Sequence, residues 1–221
     1  MKLFLSALTK FIAGLLLVGV LLFWPAGTFA YAGAWRFLAL LFIPMLIMGT
    51  VLLIKSPALL RKRLDGKEKQ AAQKGVLALS GLMFPAGFVV SALDFRHGWS
   101  VVPMWAVIAA SVAFLIGYAM YAEVMRENAY LSRTIEVQEN QTVISTGLYG
   151  VVRHPMYLAT LLMFLPLPLI LGSFWGLCAF ALYPVILIIR ILDEEAVLRA
   201  GLDGYEAYTK QVKYRLIPLI W

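Results

Sequence analysis

Long uncharged runs separated by short polar stretches set the pattern of this chain. The runs cover Phe11–Trp35, Phe37–Ile54, Gly75–Leu93, Gly98–Ala122 and Pro155–Ile189. A transmembrane helix needs about 20 consecutive apolar residues, and the first four runs meet or approach that length. The fifth holds 35 residues. As one helix it would be about 52 Å long at 1.5 Å per residue, against a hydrocarbon core of about 30 Å. Pro166, Pro168, Gly172 and Ser173 lie near its middle, where a turn is wanted. The pattern therefore predicts a helical hairpin with two short arms, and about six spans in all. A barrel would instead show short strands of alternating hydrophobicity.

The polar stretches fill in the connections. Residues 1–54 read as a helical pair turning near Pro25-Ala26-Gly27, with Pro44 bending the second helix. Lys55–Lys74 reads as a charged loop that anchors the topology. Asp94–Trp99 reads as a tight turn at the other surface, with Trp99 as a belt aromatic. Tyr118–Asn128 carries the fourth helix out of the membrane, and Ser132–Ser145 follows as a polar connector. There Thr134, Val137, Thr142 and Val143 suggest extended structure. Arg190–Ala200 reads as a helix leaving the bilayer. Leu202–Tyr214 places Tyr205, Tyr208 and Val212 at helical spacing, which predicts an amphipathic cytosolic helix. No repeat of useful period occurs. The expectation is one all-α polytopic integral membrane domain over 1–221, with four N-terminal spans over 1–122 and a functional core over 123–221.

Composition agrees with the pattern. The chain is 62% hydrophobic and 14% charged, where a water-soluble domain carries about 25% charged residues. With both termini in the cytosol, 17 of the 19 Lys and Arg residues fall on the inner side and only Arg36 and Arg96 on the outer. The positive-inside rule favours that orientation. The formal charge of +7 then reflects topology and attraction to anionic lipid, and the dispersed basic residues form no nucleic-acid face. Lys2, the run after Lys10 and Ala30-Tyr31-Ala32 resemble a signal peptide. The run continues to Trp35, however, which favours an uncleaved first helix. The single cysteine, Cys178, reads as packing within a span. His97 and His154 fall on opposite sides, so no metal-ligand cluster is expected.

Candidate chemistry gathers at one boundary. Folding the last run back on itself returns Arg190 and Glu194 to the side where Arg153 and His154 begin it. Arg190 and Glu194 are four apart and share a helix face, which on spacing alone is equally a simple ion pair. Ionisable groups at membrane depth are costly unless paired or used, so four of them meeting there mark a candidate site.

The stretch Thr146-Gly-Leu-Tyr-Gly-Val-Val-Arg-His-Pro-Met-Tyr157 is followed by the apolar hairpin and by Arg190-x-x-x-Glu194-Glu195-x-x-Leu198. Gly204-Tyr205-x-x-Tyr208-x-x-x-Val212 then closes the order. From near Gln138 onward this resembles the isoprenylcysteine carboxyl methyltransferase family, itself similar to membrane phospholipid methyltransferases. It departs at Leu158-Ala159, where the family often has Gly, and at Gly201–Gly204. The resemblance implies an S-adenosylmethionine-dependent methyltransferase acting on a prenylated or lipid-like acceptor, with the active site on the cytosolic side. It also implies a cofactor site lined by Gln141, Thr142, Val143, Ile144, Tyr149, His154, Pro155, Met156, Tyr157 and Glu194, with Arg190 facing the acceptor. Arg190 and Glu194 are thus the expected catalytic pair. Phospholipid or small lipophilic acceptors remain open, as do a sterol-reductase-like enzyme using NADPH and a non-catalytic membrane protein.

Overall fold

The computed structural model describes every residue except Met1, 65–70, 132–134 and 136, and omits the side chains of 71–74 and 77. Lys67, Lys69 and Lys74 of the charged loop, and Arg133 and Thr134 of the connector, therefore lie outside the described residues or side chains. The architecture is all-helical. Helices α1 (Lys2–Ala26), α2 (Ala32–Lys55), α3 (Pro57–Leu64), α4 (Ala71–His97) and α5 (Met104–Glu127) form the N-terminal part. A 3-10 turn at Gly147–Gly150 precedes α6 (Pro155–Phe164), α7 (Leu167–Leu171), α8 (Trp175–Phe180), α9 (Tyr183–Gly201) and α10 (Tyr205–Gln211).

Five of these segments are long and apolar enough to cross a membrane: α1, α2, residues 78–97 of α4, α5, and α8 with α9 taken together. The sixth predicted span is the outgoing hairpin arm, α6 with α7, which covers only Pro155–Leu171. Seventeen residues rise about 26 Å, short of a full crossing. The prolines explain the shortfall. Pro166 and Pro168 have no N–H to give a preceding turn, so the arm breaks at Leu165-Pro166. It restarts as α7 and ends at Gly172, whose φ of +84° is the left-handed conformation that a helix end requires.

Several expectations change in detail. Asp94–His97 is the last turn of α4 rather than a loop, and the chain turns at Gly98, φ +64°. Part of the basic loop is the short helix α3, seated on the protein through Leu59 and Leu60. The described residues of the connector form coil and a turn, with no strand. The C-terminal amphipathic helix is confined to Tyr205–Gln211. Cys178 lies exposed on α8 rather than packed.

The core sits where the hairpin packs against α2, α4 and α5. Phe37, Phe88, Phe114 and Phe180 are among its buried aromatics, with Phe37 meeting Phe88 and Phe114 at 5.5 and 6.1 Å between ring centres. Lipid is as apolar as these rings, so close packing rather than water exclusion holds the helices together. Gly117 shows how close: a Cβ there would stand 2.6 Å from the Ala159 carbonyl oxygen, so α5 and α6 touch through backbone. The first helix contributes least, with 6% of its apolar window buried, against 33% for α8–α9.

The outer end of the hairpin is fixed by polar groups. Asp94, fully buried, accepts hydrogen bonds from Ser100 N at 2.8 Å, from Ser100 Oγ, and from Ser173 Oγ at 2.5 Å. Ser173 Oγ accepts from Gly176 N in the first turn of α8 at 2.9 Å. Tyr31 Oη donates to the Leu171 carbonyl at 2.8 Å, and Arg36 donates to that of Ile170 at 3.1 Å. The last carbonyls of α7 thereby find the partners that a broken helix leaves wanting.

Candidate functional site

At the opposite end, α6 starts where Pro155, without an N–H, suits the first helical turn. The two residues before it are tied to the C-terminal tail. Arg153 N donates to the Tyr214 carbonyl and His154 N to that of Arg215, both at 2.9 Å. The Arg153 side chain is buried; its Nε donates to Glu195 Oε1 at 2.7 Å, and its terminal nitrogen to the carbonyls of Val212 and Lys213 at 2.8 and 2.9 Å. Arg215 donates to Glu195 Oε2 at 3.1 Å, and His154 Nε2 lies 3.4 Å from Oε1. Glu195 is therefore the hub that locks hairpin, α9 and tail together.

This distribution refines the four-residue meeting read from sequence. Arg153 and His154 converge on Glu195, not Glu194. Glu194, one residue earlier on α9, points about 100° away around the helix. It accepts a hydrogen bond from Tyr157 Oη at 2.7 Å, and Arg190 Nε donates to the same phenol oxygen at 3.4 Å. Tyr157 thus bridges Arg190 and Glu194 across the hairpin.

Gln141, Thr142, Val143, Ile144, Tyr149, His154, Pro155, Met156, Tyr157, Arg190 and Glu194 all line one cavity beneath the hairpin mouth. Arg153, Asn128, Tyr130, Leu198, Tyr205 and Tyr208 complete much of its wall. Tyr149 is held twice: its hydroxyl accepts from Asn128 Nδ2 at 2.8 Å, and its carbonyl accepts from Tyr208 Oη at 2.7 Å. Burial pushes the Tyr149 phenol up to about 12, Asn128 opposing and Glu194 adding to the rise. Burial likewise raises Tyr205 and Tyr208. These phenols keep their protons near neutral pH and serve as neutral hydrogen-bonding walls.

A second cavity, of about 580 Å³, adjoins the first from the membrane side and shares Met156, Tyr157 and Arg190 with it. Its walls are mostly apolar, from Leu41 and Met45 on α2 to Phe84 on α4, Met163 on α6 and Ile186 on α9. Arg63 on α3 also lines it, lies over the Tyr121 ring at 5.4 Å and donates to that hydroxyl.

Residues 105–202 match the model of a family described as phospholipid methyltransferase. Over that stretch, under half of the chain, the chain is similar to membrane methyltransferases. The match runs from the start of α5 through the end of α9, so the matched region contains the hairpin, Arg190, Glu194 and Glu195. The tail tyrosines and the N-terminal walls of the apolar cavity lie outside it. No curated protein matches the chain.

Sequence reasoning missed the weight of Glu195, Arg215 and Arg63. Glu195 had a signal, since it sits beside Glu194 in the quoted motif and only a buried cation could keep a second carboxylate there. Arg63 had none: three basic residues in a row at a membrane boundary read as an anchor.

Proposed function

We propose that the protein is a methyltransferase that uses S-adenosylmethionine and passes the methyl group to a lipophilic acceptor, with the site and both termini facing the cytosol. The observation that carries the reading is the junction of a polar, tyrosine-lined cavity with an apolar one at Tyr157 and Arg190. A water-soluble donor and a membrane-soluble acceptor need two such compartments meeting at one point. Tyr205 adds support, because its buried hydroxyl, on the wall of the polar cavity, makes no hydrogen bond within the protein.

When bound, the cofactor supplies an electrophilic methyl group on a sulfonium. The residues' work is alignment and exclusion of water, since in-line displacement depends chiefly on geometry. Gln141 to Ile144, Tyr149 and His154 to Tyr157 would hold the donor, with Glu194 as the carboxylate of that set. Arg190, held by Tyr157, faces both compartments and would orient the acceptor. A carboxylate acceptor is already ionised and needs no base, and a guanidinium can grip it with two hydrogen bonds. The 17-to-2 charge asymmetry supports the orientation.

The polar cavity measures about 100 Å³, below the about 300–1,000 Å³ usual for ligand pockets. A nucleoside-sized ligand must therefore move its wall, and the coil over 141–145 is a part of that wall outside any helix.

The likeness to a phospholipid methyltransferase family favours a second reading, a phospholipid acceptor. An amine nucleophile has to lose a proton, and Glu194 with Tyr157 is the pair placed to receive it. Calorimetric titration of the purified protein with S-adenosylhomocysteine tests the cofactor. Transfer of labelled methyl from S-adenosylmethionine to carboxylate-headed or amine-headed lipids separates the acceptors. Absence of any S-adenosylhomocysteine binding would remove the proposal.

A further inference from the structure

Among the described residues, one buried side-chain polar atom makes no hydrogen bond: the hydroxyl of Tyr205. Its neighbours show how unusual that is. Tyr149, Tyr157 and Tyr208 line the same cavity, and each hydroxyl has a partner, namely Asn128, Glu194 and the Tyr149 carbonyl. Tyr205 is only 4% exposed, and Gly204, at φ +82°, turns the chain so that α10 begins with this ring at the cavity wall. A buried hydroxyl without a partner loses its hydration and gains nothing in return. Natural structures seldom keep such a group without a use for it.

The surroundings say what sort of group it meets. Burial and the charges of Glu195 and Glu194 hold the Tyr205 proton on, with only Arg153 opposing. Those two carboxylates favour a positively charged neighbour at this oxygen. Its lone pairs suit a hydrogen-bond donor carrying positive charge.

We propose that the Tyr205 hydroxyl oxygen receives a hydrogen bond from the ammonium group at the amino-acid end of the bound cofactor, making Tyr205 a positioning residue outside the matched family region. This deepens the cofactor assignment and rests on it. Neither the spacing motif nor the family match assigns Tyr205 a role.

The test compares two ligands that differ in the amino-acid end: S-adenosylhomocysteine, which has it, and 5′-methylthioadenosine, which lacks it. Each is titrated calorimetrically into the full-length protein, the Tyr205→Phe variant and, as a control, the Tyr208→Phe variant. Tyr205→Phe should weaken S-adenosylhomocysteine about tenfold, the usual size of one lost hydrogen bond to a charged group. It should leave 5′-methylthioadenosine unchanged and should not lower the unfolding midpoint, because no bond within the protein is lost. Tyr208→Phe, which loses its bond to the Tyr149 carbonyl, should lower the midpoint. Equal S-adenosylhomocysteine affinity in parent and Tyr205→Phe overturns the inference while sparing the cofactor reading. Equal weakening of both ligands overturns the ammonium assignment. A parent that binds neither ligand overturns the cofactor reading and this inference together.

Discussion

The two ends of the helical hairpin solve the same problem in opposite ways. At the outer end, Asp94 is buried with every partner drawn from the protein: Ser100, Ser173 and, through Ser173, the start of α8. At the inner end, Glu195 is buried just as deeply, and Arg153 and Arg215 complete it. On the neighbouring face, however, Glu194, Arg190, Tyr157 and Tyr205 line a cavity. A closed network fixes geometry; an open one of the same residue types, braced by a closed one, can receive a ligand. The difference teaches where to look for chemistry in a membrane protein. Buried charge is not itself the signal, but buried charge beside unfilled hydrogen-bonding capacity is.

That contrast can be broken most severely at Glu195. Glu195→Ala should cost about 3–5 kcal/mol, because it strands the buried Arg153 guanidinium without its carboxylate. Thermal unfolding in detergent measures it, and a cost under about 1 kcal/mol would mean that the tail, not the ion pair, holds the hairpin. The next effect belongs to Arg190 and Glu194. Arg190→Ala should lower turnover by about a hundredfold, the scale of one lost transition-state contact, with S-adenosylhomocysteine affinity nearly unchanged. Arg190→Lys should be similarly poor, since a point charge cannot replace a bidentate guanidinium. The charge-exchanged double variant should stay inactive. Methylation by it near the parent rate would reduce the two residues to a plain ion pair.

Asp94→Asn sharpens the other side of the comparison. It weakens three accepted hydrogen bonds and should cost about 1–3 kcal/mol of stability without altering ligand affinity, as titration would show. Any change in affinity would mean that the two ends are coupled through the hairpin. The smallest effect is expected at His154. His154→Ala removes a cavity wall whose contact to Glu195 is long at 3.4 Å. It should weaken S-adenosylhomocysteine several-fold while moving the unfolding midpoint little, and unchanged affinity would take His154 out of the cofactor site.

Much of this was legible in the chain. Spans, hairpin and turn follow from runs of uncharged residues interrupted by Pro166, Pro168 and Gly172, because lipid forces every backbone group to bond within its own helix. The cavity-lining residues in 141–157 and 190–194 were legible through the family resemblance, and the hairpin brings the two stretches to one cavity. Local sequence could not decide which of two adjacent glutamates meets Arg153. Glu194 and Glu195 are identical in type, and only the tilt and rotation of α9 against α6 and the tail select the second. Nor could it separate Arg63 from its neighbours Arg61 and Lys62, because which of three consecutive cations faces inward is set by how Leu59 and Leu60 seat α3. The hydroxyl of Tyr205 belongs to the same class. Its lack of a partner is a property of everything packed around it, and periodicity along a chain carries no record of that.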